Sequence, residues 1–316
     1  MATVNSVSGP IDTADLGFTL MHEHILVQSP GVRENFPVWN RAAELEKAVG
    51  KIREAMDRGV RTLVDLTVGH WRDIPFVKDV VAQTGMQIIV ATGVYWEVPP
   101  FFRAMSGRTI DYIAGLFTRD ITEGIMDTGV RASVVKCATD EPGVTADVER
   151  ILRASARAHR KTGAPISTHT HAASRVGLKQ QDVFESEGVD LSRVIIGHSG
   201  DSDDIHYLRG LLDRGSYIGM DRFGLDLFLT TDKRVATIAR LCEMGYAEKM
   251  VLSHDAACYF DWADEALLKQ AMPNWHYNFI PDHVIPALRQ AGVSEEQIRT
   301  MTVDNPRRVF ERQGAY

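Results

Sequence analysis

Along the chain, short runs that are apolar without interruption alternate with longer stretches whose apolar residues recur every third or fourth position. The runs are Leu20–Val27, Val60–Thr67, Gln87–Thr92, Ala132–Cys137, Ala164–His169, Arg193–His198, Ser216–Asp221 and Lys249–Asp255. Continuous apolar runs of this length are expected of parallel strands covered on both faces. The intervening stretches predict helices. Residues 44–58 place Leu45, Val49, Ile52 and Met56 on one stripe and stop at Gly59. Residues 145–162 start from Thr145 as N-cap, carry acids in the first turn and meet Gly163 at the end. Residues 203–214 repeat the scheme with Ile205, Leu208, Leu211 and Leu212 before Gly215. Asp304-Asn305-Pro306 starts a last helix, with proline at the first helical position.

Eight alternations of strand and helix predict a (β/α)8 TIM barrel. A short N-terminal hairpin is expected ahead of Leu16-Gly17, and a long aromatic loop after strand eight. No linker or low-complexity tract interrupts residues 1–316, so one domain is expected. The competing architecture is a doubly wound open sheet, whose glycine-rich phosphate turn is missing after the first strand.

Composition narrows the function classes. A hydrophobic share of 44% and a charged share of 24% are those of a soluble globular protein. A formal charge of −7 argues against nucleic acid or an anionic membrane as partner. The first ten residues have neither a basic leader nor an apolar core, and no run of about 18 apolar residues occurs, so no secretory signal and no membrane span are expected. Cys137, Cys242 and Cys258 form no CxxC pair, as suits a reducing compartment. The cytoplasm is the expected location.

Polar residues concentrate where the strands end. Strand one carries His22 and His24, which share a face because they are two apart. Strand two ends at Asp65, strand four at Lys136, and strand five at His169 and His171. Strand six ends at His198, strand seven at Asp221 and Arg222, and strand eight at His254 and Asp255. One His-x-His pair is a weak signal. In a barrel, though, all these ends converge on one mouth, where active sites of this fold lie.

Taken in order, Met21-His-Glu-His24, Val135-Lys-Cys137, Ser167-Thr-His-Thr-His171, Ile196-Gly-His-Ser-Gly200, Gly219-Met-Asp-Arg-Phe-Gly224 and Leu252-Ser-His-Asp255 resemble the phosphotriesterase family of the amidohydrolase superfamily. Within it they are most similar to the phosphotriesterase-like lactonases, from about Gly9 to Arg312. The resemblance implies two divalent metal ions, zinc first, with cobalt, manganese and iron as alternatives. His22, His24 and Asp255 would hold one ion, and His169 and His198 the other. Lys136, carboxylated by CO2, would bridge them with a hydroxide. A cationic lysine facing two divalent ions would be repelled, whereas a carbamate is an anion. The bland role for Lys136 is a barrel salt bridge with Asp65.

The resemblance further implies a lactonase acting on N-acyl-homoserine lactones or related lactones, a quorum-quenching activity, with promiscuous hydrolysis of phosphotriesters. A phosphotriesterase (aryldialkylphosphatase) or another esterase is the alternative. Asp255 would accept a proton. Tyr95 would orient the carbonyl or assist the leaving oxygen, and Arg222 would hold substrate, or else pair with Asp221 or Asp226. The aromatic segment Cys258–Pro281 would supply Tyr259 and Trp262 as substrate contacts. The same residues would suit the interface of a homodimer, the expected assembly. Two loops depart from the lactonase pattern, Gly69-His-Trp-Arg72 and Trp96-Glu97-Val98-Pro99-Pro100. Other classes stay open: a non-catalytic barrel with a structural metal, or a mononuclear deaminase, which would not need Lys136.

Overall fold

The computed structural model describes residues 2–36, 38–312 and 314–316, with the side chain of His70 outside the description. Strands β1 (Thr3–Ser6) and β2 (Gly9–Asp12) form the expected antiparallel hairpin. Parallel strands follow: β3 (Phe18–Val27), β4 (Val60–Asp65), β5 (Gln87–Gly93), β6 (Val134–Ala138), β7 (Ile166–His169), β8 (Val194–Ile196), β9 (Tyr217–Met220), β10 (Met250–Leu252) and β11 (Ala257–Phe260). Each pairs with its neighbour in that order, while β11 lies beside β3. Since β10 and β11 are successive pieces of one pass of the chain, this pairing closes the ring. Backbone bonds from Asp255 N to His22 O (3.0 Å) and from His24 N to Ala256 O (2.8 Å) stitch the seam. The open-sheet alternative falls, and the fold is a (β/α)8 TIM barrel.

Strand eight therefore differs from its prediction. The run read as one strand over 249–255 is interrupted at 253–256 and resumes as β11 within the segment expected to be loop. The same segment holds a helix, Glu265–Ala271. The final helix differs too. Asp304 has helical dihedrals and makes no side-chain cap, because helical structure begins earlier, at Glu295, with Ser294 and Gln297 in a capping box. A π turn over Thr300–Asp304 joins the pieces ahead of Pro306. Proline has no N–H to donate into a regular ladder, and a π turn is a common way of adjusting the register around it. The 145–162 prediction holds closely: Thr145 accepts from Val148 N, and Gly163 takes the left-handed conformation at the end.

Two apolar layers position the site. The larger lies between strands and helices, among them Ile52, Phe76, Phe117, Leu152, Phe184 and Leu208. The smaller fills the barrel interior with Met21, Val64, Ile89, Val134, Ile195 and Val251, and is closed below by Val4 and Leu16 near the hairpin and Phe310 on the last helix. The N-terminal end of the barrel is thus plugged with side chains, and the polar residues sit at the other end.

At the foot of the helix Ala146–Thr162, buried His159 lies 2.7 Å from Ala164 O and 2.6 Å from the Tyr316 hydroxyl, which accepts from Asp190 N. Burial lowers the His159 pKa below its ordinary 6.5, so the fold holds a neutral ring that donates to Ala164 and accepts from Tyr316. The unfolded chain takes up this proton first as the solution is acidified. The contribution is therefore complete above pH 6.5 and is lost as pH falls below it. Thermal melts at pH 7 and pH 5 should show a smaller acid-induced fall in Tm for His159→Gln than for the parent, by about 2 °C. Equal falls would refute this assignment.

Candidate active site

Four imidazoles, one lysine and one aspartate meet at the mouth. His22 and His24 come from β3, Lys136 from β6, His169 from the end of β7, His198 from just beyond β8, and Asp255 from the interruption in strand eight. A bulge in β3 between Leu20 and Glu23 inserts one extra residue against β4, a common way of aiming side chains beside a site. His22 Nε2 lies 2.6 Å from Lys136 Nζ and 3.4 Å from Asp255 Oδ1. His24 Nε2 lies 3.0 Å from the same oxygen, and His198 Nε2 lies 3.6 Å from Asp255 Oδ2. Potential ligand atoms of His22, His198 and Asp255 fall within 4.8 Å of one another. The His169 ring is one step out, its centroid 4.5 Å from that of His198.

Each imidazole is fixed through the nitrogen that faces away from this cluster. The buried Asp221 carboxylate takes Nδ1 of His22 on one oxygen (2.8 Å) and Nδ1 of His198 on the other (3.0 Å), with His198 N at 2.8 Å as well. His169 Nε2 is 3.0 Å from Asp140 Oδ2, and His24 Nδ1 is 2.8 Å from Thr67 Oγ1. A carboxylate accepts only from N–H, so Nε2 of His22 and His198 and Nδ1 of His169 are left unprotonated. Burial lowers the pKa of His22, His198 and His169, the last to about 4, so these rings are neutral and able to donate to a metal.

The donor set fits a metal centre on two further observations. Buried His198 Nε2 has no hydrogen-bond partner among the described residues, an arrangement that costs free energy unless something fills it. Burial pushes the Lys136 ammonium down to about 8, against the pull of Asp255 and Asp221. A lysine so desolvated more readily supplies the neutral amine that CO2 needs.

Backbone strain marks the same spot. His198 (φ 57°) and Asp255 (φ 56°) both adopt the left-handed conformation, which few residues other than glycine occupy. Gly93, at the end of β5, packs so closely on Lys136 that a Cβ there would stand 1.8 Å from Lys136 O. Glu23 holds the Asp255 turn. It emerges on the opposite face from His22 and His24, is fully buried, and accepts Ser253 Oγ (2.8 Å), His254 N (3.0 Å), His254 Nδ1 (2.7 Å) and Ala256 N (2.9 Å). Ser253 Oγ in turn accepts from His22 N. The roles of Glu23 and Asp140 were missed in sequence. An acid between two histidines on an apolar strand was the available signal for Glu23.

Arg222 pairs neither with Asp221 nor with Asp226. Its Nε donates to Asp255 Oδ2 and its Nη1 to Asp201 Oδ2, each at 2.9 Å, because Asp221 is already engaged by the two imidazoles. Asp65 accepts from Thr67 N, and no bond to Lys136 occurs among the described residues. Burial alone would raise the Asp255 carboxyl, but the Arg222 guanidinium and the bond from His24 hold it well below 3.8. Tyr95 OH reaches to 3.3 Å from His169 Nδ1, and burial raises its pKa, keeping it protonated.

Above this floor opens a cavity of about 280 Å³ walled by apolar side chains, including Leu225, Leu227, Phe228, Phe260, Trp262 and Trp275. Trp262 is there as expected. Tyr259 is not among the lining residues; its ring packs on Trp39 instead.

A model of the phosphotriesterase family matches residues 2–310. The chain belongs to that family. It is 54% identical over its whole length to the whole of the phosphotriesterase homology protein of Mycobacterium tuberculosis. It is 45% identical to the aryldialkylphosphatase of Saccharolobus solfataricus, covering 95% of this chain and 96% of that one. The solved structure of the phosphotriesterase from M. tuberculosis superposes with a TM-score of 0.95 at 52% identity, covering 99% of this chain and all of the other. This phosphotriesterase-family barrel is a hydrolase, and His22, His198 and Asp255 form a possible metal-binding group within it.

If Asp221 and Glu23 set the site's geometry, Asp221→Asn should lower metal affinity about 10–100-fold, because an amide NH2 group faces one ring with a donor where an acceptor is needed. Glu23→Gln, losing the bond from Ala256 N, should act in the same direction. Metal retained per chain after dialysis against graded chelator checks both, and unchanged retention would contradict the assignment.

Proposed function

We propose that this phosphotriesterase-family protein is a binuclear metal hydrolase that opens lactone rings, with N-acyl-homoserine lactones or related lactones as main substrates and phosphotriesters as a side activity. The observation that carries this reading is the small apolar cavity set above neutral imidazoles, of which His198 keeps a buried Nε2 with no partner among the described residues. His22, His24 and Asp255 would hold one ion, His169 and His198 the other, and Lys136 would join both as a carbamate. Its formation adds CO2 to Nζ, making an N–C bond and releasing one proton. When bound, the ions would supply an acidified water and a Lewis acid for the electrophilic oxygen.

The chain's own groups do the rest. Asp255, ionised and bonded by His24 and Arg222, is placed to accept a proton from the attacking water. The Arg222 guanidinium, bonded also to Asp201, holds that carboxylate in place and ionised. Tyr95, kept protonated, can donate to the carbonyl oxygen or to the leaving alkoxide. Arg234, fully buried, donates to Asp201 Oδ1 at 2.6 Å and to the carbonyls of Gly200 and Leu225, bracing the loop after β9 beneath Leu225 and Phe228. The apolar walls would strip water from an acyl chain and from the scissile group.

A second reading has the phosphotriester as main substrate, and the relative named aryldialkylphosphatase favours it. Comparing kcat/KM for a long-chain acyl-homoserine lactone and for paraoxon on metal-loaded protein separates the two. The lactone should win, and a tenfold or greater advantage for the triester would reverse the order. Asp255→Ala should cut turnover of the better substrate about a hundredfold or more, and an unaffected rate would refute its role.

A further inference from the structure

Trp71 occupies one of the two loops that depart from the lactonase pattern. Its neighbours hold it firmly. The turn Gly69–Trp71 begins at extended Val68, Trp71 N donates to Val68 O (3.3 Å), and Trp71 O accepts from Gln28 N (3.4 Å). Next along, Arg72 bonds Ala91 O (2.8 Å) and Asp120 Oδ2 (2.9 Å), and that oxygen also accepts from Thr92 Oγ1 (2.7 Å). This brace ties the loop to the end of β5 and to the helix Ile110–Thr122.

So fixed, the indole lines the cavity and meets Trp262 with ring centroids 4.8 Å apart and planes at 65°. Phe260 backs Trp262 at 4.9 Å, and Trp275 backs Phe260 at 5.7 Å. Trp262 remains 47% exposed despite these contacts. Two rings at such an angle form a corner. A third flat ring entering it can stack on one indole and present its edge to the other, the two arrangements that aromatic quadrupoles favour. Leu225, Leu227, Leu268 and Met272 add aliphatic lining to the same cavity.

We propose that Trp71 and Trp262 form an aryl-binding subsite, so that substrates carrying an aromatic ring next to the scissile group are preferred over saturated ones of the same size. The substrate class rests on the hydrolase reading above, whereas the subsite itself rests on the ring geometry. Trp71 is pre-organised by the Arg72 brace, so little side-chain freedom remains to be lost on binding.

The test uses the full-length, metal-loaded protein and two alcohols of matched shape, 2-naphthalenemethanol and its fully saturated decahydro analogue, titrated calorimetrically. An aromatic contact of this kind should favour the aromatic probe about fivefold beyond its area. Trp71→Leu should erase the preference, and Trp71→Phe should keep most of it. Should Trp71→Leu fold poorly, Trp262→Leu probes the other side of the corner with the same expectation. No preference in the parent, or one that persists in the folded leucine variants, overturns the subsite. In parallel, the kcat/KM ratio of dihydrocoumarin to δ-valerolactone should fall about fivefold in Trp71→Leu. An unchanged ratio also overturns the subsite. If the binding preference vanishes in the variant while the parent turns over no lactone, the lactonase reading fails and the subsite stands.

Discussion

One buried carboxylate sets the terms for the whole mouth of this barrel. Asp221 lies just past β9, between β3 and β8 in its contacts, and engages one imidazole from each with its two oxygens. Burying an anion there costs free energy unless its lone pairs are filled, and three N–H groups fill them. The return is directional. With both Nδ1 atoms committed, His22 and His198 can offer only Nε2, their rings stacked with centroids 4.5 Å apart and these atoms near Asp255. Remove the acceptor and either ring is free to choose the other tautomer.

A second carboxylate does for the backbone what Asp221 does for the rings. Glu23 sits behind the interruption in strand eight and accepts Ser253 Oγ and the backbone N–H groups of His254 and Ala256. The break gives Asp255 its left-handed turn and sets it beside His22 and His24, while β11 resumes the ladder to close the barrel. Strain at Asp255 and His198 is tolerated because hydrogen bonds over-determine both positions. Function and closure of the fold thus depend on one seam.

The barrel was legible in sequence because parallel strands buried on both faces must be apolar throughout, and that pattern survives without knowledge of partners. The convergence of His22, His24, Lys136, His169, His198 and Asp255 was legible for a related reason: strand ends share one rim. What stayed hidden depends on pairing between distant residues. Nothing local says that Glu23 will sit behind a strand break 230 residues on, or that Arg222 will turn to Asp255 and Asp201 because the nearer Asp221 is occupied. Tyr259 sits on an unrecognised strand rather than a loop, and its ring packs on Trp39 rather than lining the cavity. Pro306 looked like a helix start, yet a π turn lets the helix run through it.

If a metal binds here, these orienting carboxylates should dictate which nitrogen of each ring meets it. A crystal structure of metal-loaded protein with anomalous data collected at the metal edge addresses it directly. The account predicts two anomalous peaks in the mouth, bonded by Nε2 of His22 and His198, Nδ1 of His169, Asp255 and a carboxylated Lys136, with the Asp221 bonds intact. A single peak bonded through Nδ1 of His22 or His198, or peaks that leave Lys136 and Asp255 unengaged, would contradict it.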